Sequence, residues 1–244
     1  MCFDAAVSFE PVALEVAAPH RVPAVCFVPR DANAQTPLLL FGHGANLSKD
    51  DPIMQTIAKG FARAVPAVVV LVDFPAHGER ADATWSTRDA ETAVQATMED
   101  DALPQQLADE WRAVVAAARR HTPGRVGYVG FSMGAVHGFS TVGLVDDIEA
   151  AAFVVGGLFL RGWPDARRNE VRNTIIRNGI GKLGDREVLM CNMTRDEHFP
   201  IDLAIEAFEL VPGPKRMHVY EGTHVDVGPE AVESVVAFFR RTLS

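Results

Sequence analysis

Ser132 stands between two glycines in the run Val126-Gly-Tyr-Val-Gly130-Phe-Ser132-Met-Gly134-Ala135. The residues before it read as an apolar strand, and those from 133 to about 144 as an apolar helix. A sharp strand-to-helix turn strains the backbone of its central residue. It also crowds the positions two places to either side, where only small residues fit. Such a turn projects the serine hydroxyl above the sheet. Backbone N–H groups at the start of the helix, including that of Met133, can then face a developing oxyanion. The chemistry this geometry serves is nucleophilic attack on an acyl carbon.

A hydroxyl is a weak nucleophile unless a base removes its proton, and that base needs an orienting group. Two later segments carry the right residue types. Asp196-Glu197-His198 follows the apolar run 187–192, and His224 ends Glu-Gly-Thr-His after the run 216–220. Both lie just past expected strand ends. The other histidines read differently. His218 falls within a strand and is expected in the core, while His137, five residues past Ser132, is expected to face away from it. His43 belongs to a loop, where a structural hydrogen bond is its expected role. A metal reading of His43, His77, His198 and His224 with Asp73 or Asp196 lacks HxH or HExxH spacing, so no metal is expected. No dinucleotide fingerprint follows the first central strand, and no cofactor is expected.

The elements that must position these residues alternate in type. Strands are expected over 5–17, 21–28, 37–41, 67–73, 126–130, 150–155, 187–192 and 216–220. Helices are expected over 53–64, 103–120, 133–144, 202–210 and 229–241, with a long polar stretch over 75–101. Strands apolar throughout, alternating with helices, predict a mostly parallel sheet covered on both faces. In such sheets chemistry collects at the carboxyl ends of the strands. The chain has 244 residues, and no repeat or linker divides it, so a single domain over 1–244 is expected.

Composition excludes several classes. A formal charge of −9 disfavours nucleic acid and anionic membrane surfaces as partners. Cys2, Cys26 and Cys191 have no short spacing, which fits a reducing compartment, and Cys191 reads as a buried, inert thiol. With no signal peptide and no apolar run of about 18 residues, a cytoplasmic protein is expected.

The sequence resembles a serine esterase of the α/β-hydrolase type over nearly its whole length. The motifs are Gly42-His43-Gly44-Ala45 after one central strand and Asp73-Phe-Pro-Ala-His77-Gly78-Glu-Arg80 after the next. The turn at Ser132, Asp196 in Thr-Arg-Asp-Glu-His-Phe-Pro, and His224 complete the set. The first two motifs look closer to the dienelactone hydrolase and prolyl-oligopeptidase-like branches than to lipases with a triple-glycine loop. The resemblance implies an α/β-hydrolase fold with about eight strands and a short cap near 156–185. It implies Ser132 as nucleophile, His224 as base and Asp196 as orienting acid, with an oxyanion hole from the N–H groups of Ala45 and Met133. Glu197 is the rival acid, although its side chain should point elsewhere, and His198 reads as pocket lining or surface.

Phe74, His77, Leu158, Phe159, Trp163 and His198 are the expected substrate contacts, and the arginines between 161 and 172 are expected to make the rim locally basic. The implied activity is hydrolysis of a small-molecule carboxylic ester or thioester, of small or medium acyl size, through an acyl-enzyme. Acyl transfer or C–C bond cleavage by the same triad is the alternative within the class. A non-catalytic binding module on the same fold is the alternative outside it.

Overall fold

Alternation along the central strands determines how the sheet is covered. In β3 (Leu38–Gly42), Leu38 and Leu40 pack into one core while Leu39 and Phe41 pack into another, and all four are fully buried. The strand β4 (Val68–Val72) divides the same way, with Val68 and Val70 on one side and Val69 and Leu71 on the other. Two apolar faces require two layers of helix. The computed structural model describes residues 9–14, 16, 21–160 and 165–244.

Helices α1 (Pro52–Ala64) and α7 (Pro229–Thr242) cover one face through Met54, Phe61, Val235 and Phe239. The other face is covered by α3 (Leu103–Ala118), α4 (Met133–Thr141), α5 (Ala166–Ile180) and α6 (Ile201–Leu210). Trp111, Phe139, Ile176 and Leu203 are among their buried residues.

The remaining strands are β1 (Phe9–Ala13), β2 (Ala24–Pro29), β5 (Val126–Phe131), β6 (Ile148–Val154), β7 (Glu187–Arg195) and β8 (Lys215–Thr223). The eight-stranded sheet has the order β1-β2-β4-β3-β5-β6-β7-β8. Strands β4 through β8 in that order run parallel, while β2 is antiparallel to both β4 and β1. The chain steps outward from β3 to β4, then returns to place β5 on the other flank of β3. At such a reversal a crevice opens outside the carboxyl ends of the two strands. The loops after β3 and β5 carry Ala45 and Ser132.

The mostly parallel eight-stranded sheet agrees with the sequence expectation. The second strand runs over 24–29 rather than 21–28, and residues 5–8, 15 and 17 of the first expected strand lie outside those described. Two helices depart from the expected pattern. Within the polar stretch 75–101, α2 (Thr87–Thr97) buries only Val94, and a capping box between Ser86 and Asp89 starts it. Helix α5 occupies the segment expected as a cap. It starts at the Asp165 carboxylate, which accepts from the N–H groups of Arg167 and Arg168, and packs against α4 and α6. Among the described residues, no helix is long and apolar enough to cross a membrane.

Candidate active site

Ser132 sits at the N-cap of α4 with φ 54° and ψ −115°, a left-handed conformation that a serine adopts only under constraint. Its neighbours explain the constraint. A Cβ on Gly130 would lie 2.4 Å from the Gly134 carbonyl oxygen, and one on Gly134 would lie 2.3 Å from that of Gly42. Tyr128, fully buried, donates its hydroxyl to the Gly134 carbonyl at 2.6 Å and ties the helix start to β5. The Ser132 side chain leaves the helix uncapped. Its Oγ instead lies 2.8 Å from His224 Nε2.

His224 follows β8, and its Nδ1 lies 2.9 Å from Asp196 Oδ2. Asp196 follows β7. Its other oxygen accepts the N–H groups of His198 and Phe199, each at 2.9 Å, so the carboxylate is fixed from two sides. The Asp196 side chain is completely buried, and that of His224 is 10% exposed. With Nδ1–H donated to the carboxylate, Nε2 is left to accept the serine proton. Glu197 is exposed and meets the His224 backbone N–H at 3.3 Å rather than the imidazole. Accepting backbone N–H groups, its own first, lowers its pKa.

The loop after β3 is held by histidine chemistry. His43 is fully buried, donates Nδ1–H to the Gly44 carbonyl at 2.8 Å and accepts the Phe74 N–H at Nε2, 3.2 Å away. Burial pushes its pKa down to about 3, so it stays neutral. Asp73 receives the backbone N–H groups of Lys49 and Glu79 and lies near the Lys49 ammonium. Gly78 at φ +51° lets the turn close on that carboxylate, since a Cβ there would lie 2.3 Å from its oxygen. These contacts seat the loop beside Ser132, where a Cβ on Gly44 would lie 3.7 Å from the serine Cβ.

Ala45, Ser132, Met133 and His224 line one cavity of about 850 Å³. Ile53, Met54 and Ile57 of α1 give it an apolar wall. Gln95 of α2, with Arg168, Asn169 and Arg172 of α5, gives it a polar one. Phe159 and His198 also line it, and the His198 ring stands edge-on to that of His224 at 4.6 Å.

Phe74, Leu158 and His77 do not line it. Phe74 and Leu158 are core residues, 1% and 0% exposed, and His77 is buried beside His43 with Nδ1 on the Pro75 carbonyl. They follow strand ends in sequence, but their side chains turn under the loops. Trp163 lies outside the described residues. His218 also departs from expectation. It is exposed on the edge strand β8, where its Nδ1 meets Ser234 Oγ at 3.1 Å. His137 is buried against Phe74 and away from the cavity.

The α1 residues and Gln95 were not anticipated. The helical spacing of 53, 54 and 57 marks an apolar face, but nothing in sequence says which part of that face meets the cavity. The expected basic rim is present as Arg168 and Arg172, both pinned by Glu99. Cys26 and Cys191 are buried, and burial pushes both thiols up to about 12. Among the described residues, the one acidic or histidine cluster with metal-like spacing is Asp50, Asp73 and Glu79, and the Lys49 ammonium pairs with all three.

No protein-family model matches the chain, and no curated protein sequence matches it significantly. Solved structures do. A cold-adapted esterase from an Arctic intertidal metagenomic library superposes with a TM-score of 0.72 at 20% identity, over 100% of both chains. An esterase of Pyrococcus furiosus gives 0.69 at 18% identity, over 98% of this chain and 94% of that one. A dienelactone hydrolase of Anabaena variabilis gives 0.62 at 16%, over 97% and 96%. The chain has the α/β-hydrolase fold.

Proposed function

We propose that this chain is a serine hydrolase that cleaves carboxylic esters of small molecules through an acyl-enzyme. The observation that carries the reading is the unbroken hydrogen-bonded path from Ser132 Oγ through the His224 imidazole to the buried Asp196 carboxylate. Ser132 attacks the ester carbonyl as His224 Nε2 takes its proton, and Asp196 holds the tautomer and offsets the imidazolium charge. The N–H groups of Ala45 and Met133 receive the oxyanion, the latter unpartnered within its helix because it opens α4. The leaving alcohol takes the proton from His224. Water, activated by the same imidazole, then attacks the acyl-enzyme and releases the acid.

A cavity of about 850 Å³, with an apolar wall facing a polar one, suits an ester of small or medium acyl size. That the similar solved structures include esterases agrees with this reading. We take the chain as one domain with a small cap segment near 156–185, and as a cytoplasmic protein.

The experiment is a fluorophosphonate probe followed by peptide mapping, run beside p-nitrophenyl ester turnover. Labelling at Ser132 is expected, with turnover reduced at least about 10³-fold in Ser132→Ala. A folded protein that takes no label and hydrolyses no ester would instead be a binding module.

A further inference from the structure

Arg168 and Arg172 lie one turn apart on α5, and both line the cavity that holds Ser132 and His224. They share one carboxylate. Arg168 Nε reaches the two Glu99 oxygens at 2.8 and 3.0 Å, and Arg172 Nη2 bonds Glu99 and, at 2.8 Å, Gln95. Two guanidiniums that never lose their charge face one anion, which leaves a positive charge in excess.

The other acidic groups on the cavity do not cancel it at this point. Asp165 has an oxygen engaged by the first N–H groups of α5, and Glu197 stands exposed beside the His224 backbone. Arg172 is only 6% exposed, lies over the Phe159 ring at 5.2 Å, and has a buried Nε with no hydrogen-bond partner. Arg168 is the accessible arm. Its side chain is 42% exposed, and its Nη1 and Nη2 donate to nothing among the described residues.

An open guanidinium fork, backed by a second cation with an unsatisfied donor, matches a carboxylate in shape and charge. We propose that Arg168, supported by Arg172, is a specificity-determining subsite for a free carboxylate on the substrate, so that the preferred substrates are esters that also carry a carboxylate. This rests on the ester-hydrolase reading of Ser132. The apolar α1 wall takes the uncharged part, and Glu99 fixes the two arginines at the spacing the anion needs.

The test compares matched ester pairs at low ionic strength. One pair carries the charge on the acyl side, p-nitrophenyl hemiglutarate against p-nitrophenyl hexanoate. The other carries it on the alcohol side, 4-acetoxybenzoate against 4-acetoxybenzamide. The wild type is expected to favour the charged member of one pair by about tenfold in kcat/KM, the scale of a charge-assisted contact. Arg168→Gln should erase that ratio, Arg168→Lys should keep part of it, and salt should erode it in the wild type. A ratio at or below one in both pairs, or one that survives Arg168→Gln, overturns the subsite.

Calorimetric titration with glutarate separates this failure from failure of the hydrolase reading. Binding at least tenfold weaker to Arg168→Gln supports the subsite even if no ester is turned over. Equal or absent binding in both proteins, with no ester hydrolysed, overturns it.

Discussion

The left-handed backbone at Ser132 and the two hydrogen bonds that reach it set what single substitutions should do. Asp196→Asn keeps a carbonyl oxygen for the His198 and Phe199 N–H groups but presents an amide N–H to the imidazole, which favours the wrong tautomer. Turnover of a p-nitrophenyl ester should fall on the order of 10⁴-fold with little change in KM. A loss below tenfold would remove Asp196 from its assigned role. Strain gives an independent test. A non-glycine residue at φ 54° costs about 1–3 kcal/mol. Both Ser132→Gly and Ser132→Ala abolish the nucleophile, but only glycine relaxes the backbone. Urea unfolding should therefore show Ser132→Gly about 1 kcal/mol more stable than Ser132→Ala. Residue types and chain order single out Ser132, Asp196 and His224 because each follows a strand end, and the structure brings the three within hydrogen-bond reach. The same rule misplaced Phe74 and Leu158, because proximity to a strand end does not say whether a side chain points up into the crevice or down into the core.

Helices α2 and α5 show why the polar half of the cavity was hard to read. A hydrophobic period identifies a helix only when its buried face is apolar. Helix α5 buries Asn169, Arg172 and Asn173 beside Ile176 and Ile180, and α2 buries only Val94. Their caps, Asp165 and Ser86 with Asp89, have no periodic apolar run behind them. Strands β3 to β5 and helix α3 were legible because each buries apolar residues at the period of its own geometry. The seat of α5 on α4 depends on Gly179, where a Cβ would lie 2.3 Å from Ser140 Cα and 2.5 Å from the Phe139 carbonyl oxygen. Neither backbone atom can rotate away. Gly179→Ala should cost about 3 kcal/mol in urea unfolding, at the upper end for overpacking. Gly181→Ala is the control, since a Cβ there meets only atoms at 3.7 Å and beyond, and should be neutral within about 0.5 kcal/mol. Equal effects at the two sites would mean the α4–α5 contact yields easily.

Across the whole molecule, acid should act through the histidines beneath the site. Burial holds His43 and His137 neutral by lowering their pKa values to about 3, and it lowers that of His77 as well. In the unfolded chain each returns to about 6.5. The unfolded state therefore binds more protons below that value, so the stability these residues contribute is complete above pH 6.5 and is lost as pH falls below it, down to about 3 for His43 and His137. The slope is up to about 1.4 kcal/mol per pH unit for each fully buried histidine.

The net charge of −9 works in the opposite sense, because acid reduces self-repulsion. Carboxylates such as Glu79 and Glu187, held below their ordinary range by Lys49 and Arg241, remain charged until lower pH. Between pH 6.5 and 5 the histidine contribution should dominate, and the urea midpoint should fall steadily. His137→Leu replaces one titrating ring with an apolar side chain and should flatten that fall, whatever it does to stability at pH 7. A wild-type midpoint that holds level or rises over this interval would show that charge relief outweighs the buried rings. The buried histidines beneath the site would then not be what limits the fold in acid.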